Sequence, residues 1–215
     1  MKYRIAASIL SADFLKLRSD IDRVIDHVDE LHLDVMDGIF VENISFGAPV
    51  IAGLRGAYPT HFSEAHLMIA RPHDYWSAFR DVGANVVTFH YEATDHSYML
   101  LKTLRDGGVQ AGISLTPQTP ATVLEPIREF IDRLLIMTVE PGFGGQAFEP
   151  AMLRKIETAR RLLGDTVDIE VDGGIKDTTI RQVRDAGANI FVSGSYLFKA
   201  DDPAGRVATL RDALS

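Results

Sequence analysis

The stretch VDIEVDGGIKDTTIRQVRDAGANIFVSGS, Val167–Ser195, carries a strand, a helix and a second strand in one short length. Val167–Val171 is an apolar, β-rich run closed by Asp172-Gly173-Gly174. Thr178–Ala186 then has helical periodicity, Gly187 follows it, and Ile190–Ser193 is again β-rich before Gly194-Ser195. Strands separated by a helix cannot be joined as a hairpin, so they lie parallel, linked by a crossover.

The same alternation runs outward from this unit to both ends of the chain. Candidate strands are Tyr3–Ser8, Glu30–Val35, Thr60–Met68, Ala84–His90, Gln110–Leu115 and Arg133–Val139, in addition to Val167–Val171 and Ile190–Ser193. Amphipathic segments such as Phe14–His27, Ala151–Leu163 and Thr178–Ala186 follow most of them. Near-continuous apolar strands suit a parallel sheet covered on both faces. Eight units of roughly 25 residues predict a single-domain (β/α)8 TIM barrel over residues 1–215, on the compact side for that fold. The rival, a doubly wound open sheet, lacks its usual dinucleotide fingerprint after the first strand.

The 215 residues are 46% hydrophobic and 24% charged, which fits one sizeable core and gives no sign of disorder. A formal charge of −8 argues against nucleic-acid or acidic-membrane partners, which require a positive patch. It leaves room for a small anion held by backbone amides. The absence of cysteine excludes disulfides, thiolate metal sites and thiol catalysis. The opening MKYRIAASIL lacks the apolar region and cleavage site of a signal peptide, and no apolar run approaches the roughly 18 residues that span a bilayer. A soluble, cytoplasmic protein is expected.

Active sites of such barrels lie at the C-terminal ends of the strands. The second candidate strand ends in LHLDVMD, where His32 and Asp34, two apart, project from one face. The third ends with His66 and the seventh with Asp172. One histidine or aspartate at a strand end is more often a cap or a packing residue; four facing one mouth form a donor set. Mixed imidazole and carboxylate donors suit a divalent transition metal (Zn, Fe, Mn or Co) better than magnesium or calcium. Asp37, just past the strand, is read as a turn cap or ligand-orienting group, and His90 as structural.

Glycines form a second constellation. Gly142-Phe143-Gly144-Gly145, Gly173-Gly174 and Gly194-Ser195 follow the sixth, seventh and eighth strands, where backbone N–H groups can close around a phosphate at the start of helices. Met36, Met68 and Met137 also fall near strand ends, as core filler or as an apolar wall around a reactive intermediate. Ser8 could bond a substrate hydroxyl or cap a helix. Metal, phosphate and paired carboxylates together suggest proton abstraction beside a carbonyl, with Lewis-acid stabilisation of an enediolate. Asp34 and Asp172, one on each face, would remove a proton and return one, inverting the carbon.

With these residues placed, the chain resembles the ribulose-phosphate 3-epimerases along nearly its whole length. The resemblance rests on SILSADF (Ser8–Phe14), LHLDVMDG (Leu31–Gly38), HLMI with Pro72, TFHYE (Thr88–Glu92), MTVEPGFGGQAF (Met137–Phe148), VDGGI (Val171–Ile175) and GANIFVSGS (Gly187–Ser195). It implies a barrel of the ribulose-phosphate-binding type that interconverts D-ribulose 5-phosphate and D-xylulose 5-phosphate. It also implies one metal on His32, Asp34, His66 and Asp172, with Asp34 as proton acceptor and Asp172 as donor. Ser8 and His66 match substrate contacts, the glycines and Ser195 match phosphate contacts, and an assembly of like chains is expected.

The sequence departs from the family pattern at Ala7, Ile39, Glu42, Thr116 and Gln118, the last four in loops at the catalytic end. These departures bear on the sugar more than on the reaction, so D-allulose 6-phosphate stands as an alternative substrate. Hexulose-phosphate synthases and orotidine-phosphate decarboxylases carry a lysine in D-x-K-x-x-D near the second or third strand end. Here Asp34-Val35-Met36-Asp37 holds none.

Overall fold

In the computed structural model, which describes residues 2–215, eight parallel strands close into a barrel in chain order. They are β1 (Arg4–Ser8), β2 (Glu30–Met36), β3 (Phe62–Met68), β4 (Val86–His90), β5 (Gln110–Leu115), β6 (Arg133–Met137), β7 (Asp168–Asp172) and β8 (Ile190–Ser193). β1 pairs with both β2 and β8, which seals the sheet and leaves no edge.

The helices around it are α1 (Leu17–Asp22), α2 (Ala48–Ala57), α3 (Pro72–Asp81), α4 (Ser97–Asp106), α5 (Leu153–Leu163), α6 (Ile180–Asp185), α7 (Ser195–Phe198) and α8 (Pro203–Leu214). Local chemistry sets several starts. Pro72 and Pro203 stand at first-turn positions, where a missing N–H costs nothing, and Asp202 caps α8 by accepting from the Gly205 N–H at 2.9 Å.

One predicted segment differs. Phe14–His27 is not one helix: a 3-10 turn at Phe14–Lys16 precedes α1, which stops at Asp22. Between β5 and β6 the crossover is a 3-10 segment, Ala121–Phe130, because Pro126 in its interior removes an α-helical donor.

Along each strand, side chains alternate between two different environments. Outward residues such as Leu31, Leu33, Val35, Val87, Phe89, Leu134 and Ile136 join the helices in the main apolar core. The inward row is largely polar, with Ala6, Ile190 and Val192 as a small apolar cluster apart from the main core. At the N-terminal end of the barrel Arg133 is fully buried. Its Nη1 donates to Glu30 Oε2 at 2.7 Å, to Glu64 Oε2 at 3.2 Å and to Glu170 Oε2 at 3.4 Å. Arg4 adds a second cation, bonded to Glu30 Oε1 at 2.7 Å and paired with Asp168. Burial and the adjacent Glu64 charge push Glu170 well above the usual carboxylate range. Against the effect of burial, Arg133 holds Glu64 well below it. The two glutamates are thus set apart in proton affinity, and this plug closes the end opposite the strand termini that carry the site.

One glycine makes the inward row possible. Gly112 lies beside Thr88 across β4 and β5, and a Cβ there would fall 1.9 Å from Thr88 Oγ1. Thr88 occupies that space and donates to Glu64 Oε1.

Candidate active site at the strand ends

The registers bring the predicted donors together. Asp34 on β2 pairs with His66 on β3, Ser8 on β1 with His32 on β2, and Met137 on β6 with Asp172 on β7. His32 and His66 are fully buried and Asp34 nearly so. His32 Nε2 lies 3.2 Å from Asp34 Oδ1 and 3.2 Å from His66 Nδ1, which is itself 3.1 Å from Asp34 Oδ1. With Asp172, one ligand atom from each of the four residues lies within 4.8 Å of all the others.

Two imidazole nitrogens facing each other with a carboxylate between them require a proton or a cation in their midst, since neutral lone pairs repel. The donor set therefore fits a divalent metal. A second group, His32, Glu64 and Glu170, also converges. There the Arg133 guanidinium already supplies the cation, so that group is a plug and not a metal site.

Electrostatics separate the two aspartates. Although burial works against its charge, the His32 imidazole beside Asp34 and the hydrogen bond it donates hold that carboxyl well below the usual range. Ser8 Oγ donates a further bond to Asp34 Oδ2 at 2.6 Å. Burial and the Asp34 charge instead raise Asp172 to about 6. His32 is drawn well above the ordinary histidine value: burial opposes its cation, but Asp34, Glu170 and Glu64 outweigh that.

Above the donors lies a narrow cavity of about 60 Å³, lined by Ser8, Asp34, Asp172, the three methionines Met36, Met68 and Met137, and the glycine loops. Gly142, Phe143, Gly144, Gly145, Gly173, Gly174, Gly194 and Ser195 all reach it. Gly174 has φ +64°, and a Cβ on it would come within 2.3 Å of the Phe148 N, so no larger residue fits the turn. The helical segment read over Thr178–Ala186 is α6, and Gly173-Gly174 ahead of it form a turn with positive φ at both residues. Asn43 Nδ2 donates to the Gly142 O at 3.0 Å, tying the loop after β2 to the loop after β6 across the mouth. Gln146 Nε2 holds the latter loop in shape by donating to the Glu140 and Phe143 carbonyls. A larger hollow of about 970 Å³ opens at the opposite end, beside Arg105, Arg128 and Arg161, but it is shallow and has no part of the donor set.

Asp37 acts as the expected cap: Oδ1 accepts from the Ile39 and Phe40 N–H groups and Oδ2 from the Ala70 N–H. His90 does more than fill space. Its Nε2 lies 2.9 Å from His66 Nε2, and Phe40 stacks on its ring at 4.7 Å. Burial lowers it to about 4 and keeps it neutral, while Glu92, despite partial burial, is held down at about 2 by hydrogen bonds from His90, Thr119 and the Thr116 N–H. Sequence reading missed this pair; the signal was the His-x-Glu spacing at the end of β4.

The sequence profile of the Ribulose-phosphate 3 epimerase family matches residues 4–198. Ribulose-phosphate 3-epimerase of Mycobacterium tuberculosis (strain ATCC 25618 / H37Rv) is 44% identical over 210 residues, covering 96% of this chain and 91% of the relative. The cytoplasmic isoform of ribulose-phosphate 3-epimerase from Oryza sativa subsp. japonica is 40% identical, covering 98% and 94%. Among solved structures, KGPDC from Streptococcus mutans superposes with a TM-score of 0.76 at 15% identity, covering 100% of this chain and 98% of that one. A 3-hexulose-6-phosphate synthase does so with a TM-score of 0.72 at 22% identity, covering 99% and 100%. At those identities the structural likeness speaks for the fold alone.

Proposed function

Because this chain belongs to the ribulose-phosphate 3-epimerase family and is thus a carbohydrate epimerase, we propose that it inverts C3 of D-ribulose 5-phosphate to give D-xylulose 5-phosphate. The observation that carries the proposal is the convergence of His32, Asp34, His66 and Asp172 at one mouth, with the two aspartates on strands β2 and β7.

His32, Asp34, His66 and Asp172 would hold one divalent cation, which when bound supplies Lewis-acid polarisation of the carbonyl. Asp34, ionised, takes the C3 proton, and Asp172, whose affinity for a proton burial and the Asp34 charge raise, returns one on the opposite face. The separation of the two carboxyl groups' proton affinities supports that division. Ser8 aligns Asp34 through its 2.6 Å bond and can release it to a substrate hydroxyl. The phosphate sits against the backbone of Gly142–Gly145, Gly173-Gly174 and Gly194-Ser195, while Met36, Met68 and Met137 keep water from the deprotonated carbon.

A coupled assay with D-ribulose 5-phosphate, before and after chelation and on adding back zinc, iron, manganese or cobalt, tests the reading. Turnover that survives complete metal removal would rule out the cation, and no turnover with metal restored would rule out the substrate.

A second reading keeps the chemistry and lengthens the sugar. Ile39, Glu42, Thr116 and Gln118, the four departures at the catalytic end, all line one cavity of about 490 Å³ that shares Phe143 and Gln146 with the site. Faster turnover of D-allulose 6-phosphate than of the pentulose would favour it. A cytoplasmic homo-oligomer is part of the same proposal, supported by the cytoplasmic rice relative and checked by light scattering. Among the described residues no helix is long and apolar enough to cross a membrane.

A further inference from the structure

We infer that Glu92 is a positioning residue which, acting through His90, decides which nitrogen of His66 is offered to the cation. The inference rests on the cation reading above. His66 Nδ1 faces the donor cluster, 3.1 Å from Asp34 Oδ1, and its other nitrogen, Nε2, lies 2.9 Å from His90 Nε2. Two imidazole nitrogens at that distance share one hydrogen, so one ring donates and the other accepts. What lies beyond His90 selects the direction.

His90 Nδ1 and Glu92 Oε2 are both buried, neither has a partner within hydrogen-bonding geometry, and they face one another at 3.5 Å. The opposite oxygen of that carboxylate, Oε1, accepts from the Thr116 N–H and from Thr116 Oγ1, each at 2.9 Å. A carboxylate only accepts, so His90 must carry its hydrogen on Nδ1 and present a lone pair at Nε2. His66 then donates from Nε2, and the lone pair left on Nδ1 faces His32 Nε2 at 3.2 Å, whose N–H it accepts in the cation-free site and whose place the cation takes. Phe40 against the His90 ring holds the ring plane in which this polarity is passed on. The other imidazole ligand is fixed more directly, with His32 Nδ1 lying 3.1 Å from Glu64 Oε2 and 3.2 Å from Glu170 Oε1. With a cation in place both histidines thus present a lone pair to one point, by relays that end on Glu64 and Glu170 within the barrel and on Glu92 just past β4.

Glu92→Gln reverses the relay. The Gln carbonyl oxygen has to stay on the Thr116 N–H, which turns the amide NH2 toward His90 Nδ1. His90 then accepts at Nδ1 and donates from Nε2, and His66 is left with its hydrogen on Nδ1, where a cation needs a lone pair.

The test uses full-length protein with 15N-labelled histidine, first metal-free and then titrated with cobalt(II). In the wild type, His66 Nδ1 is expected to show the ring-nitrogen shift of an unprotonated atom. In Glu92→Gln the shifts of Nδ1 and Nε2 should exchange, and cobalt affinity should fall by roughly ten- to a hundredfold, with the metal-free melting temperature little changed. His90→Phe keeps a ring beneath Phe40 but cuts the relay, and should weaken cobalt binding to a similar degree; it also serves should Glu92→Gln not fold. Unchanged ring shifts in Glu92→Gln, or wild-type cobalt affinity in either variant, overturns the inference. No sugar enters these measurements, so a wrong substrate leaves them intact, whereas wild-type protein that fails to bind cobalt refutes the cation reading itself.

Discussion

Arg133 Nη1 lies 2.7 Å from Glu30 Oε2 inside a barrel from which both side chains are excluded from solvent, with Glu64 and Glu170 completing the contact. Charges so placed attract strongly but were costly to dehydrate, so the arrangement is sensitive to the loss of any one member. It also stands directly beneath His32, whose Nδ1 bonds the same Glu64 and Glu170. The closed end of the barrel and the reactive end are one continuous polar column.

Removing the cation from that column should be severe. Arg133→Met leaves Glu30 and Glu64 without their main partner and is expected to cost about 3–5 kcal/mol in denaturant unfolding at neutral pH. Glu64 has a lowered affinity for protons in the folded state, so its contribution is present above its ordinary value of 4.5 and is lost as pH falls below it. The gap between variant and wild type should therefore narrow in acid; a gap independent of pH would mean that packing, not charge, is what Arg133 supplies.

Gly112→Ala should destabilise the barrel although it adds one methyl group. The new Cβ meets the Thr88 side chain and backbone, which cannot withdraw without breaking the bond to Glu64. A loss of about 1–3 kcal/mol is expected, seen as a melting temperature lower by several degrees.

Asp172→Asn should leave the melt nearly unchanged while lowering kcat by about 10²–10⁴, the range of a general acid–base group. Retention of more than a tenth of wild-type turnover would remove Asp172 from the proposed proton path.

Cation binding should strengthen as pH rises. Without a cation His32 has a raised affinity for protons, so a proton occupies the site below and around neutrality and has to leave when metal enters. Cobalt titrations between pH 6 and 8 should show tighter binding at each step up, with proton release in calorimetry. Affinity flat across that interval would mean that His32 is not a ligand.

The barrel was legible because its outward-facing residues are apolar and its strands short, a pattern local to each unit. The donor set was legible for a similar reason: His32 and Asp34 share a strand, and the end of each strand is a known place. The column beneath was not, because Arg133 meets Glu30 across 103 residues, Glu64 across 69 and Glu170 across 37, and no local pattern marks such partners. Each of those charges, read alone on a strand, resembles a solvated end. His90 reads as structural from the sequence because its role depends on the ring it touches on β3.

β2 contributes Glu30 to the plug, His32 and Asp34 to the donors and Met36 to the wall, all by alternate residues of one strand. A one-residue slip of this strand in its register would turn all four outward and bring Leu31, Leu33 and Val35 into the barrel. Point changes along β2 can be absorbed one at a time, but a shift in frame erases plug, ligands and wall together. Length variation among functional descendants of this sequence should therefore collect in the connections between strands and be absent from Glu30–Met36.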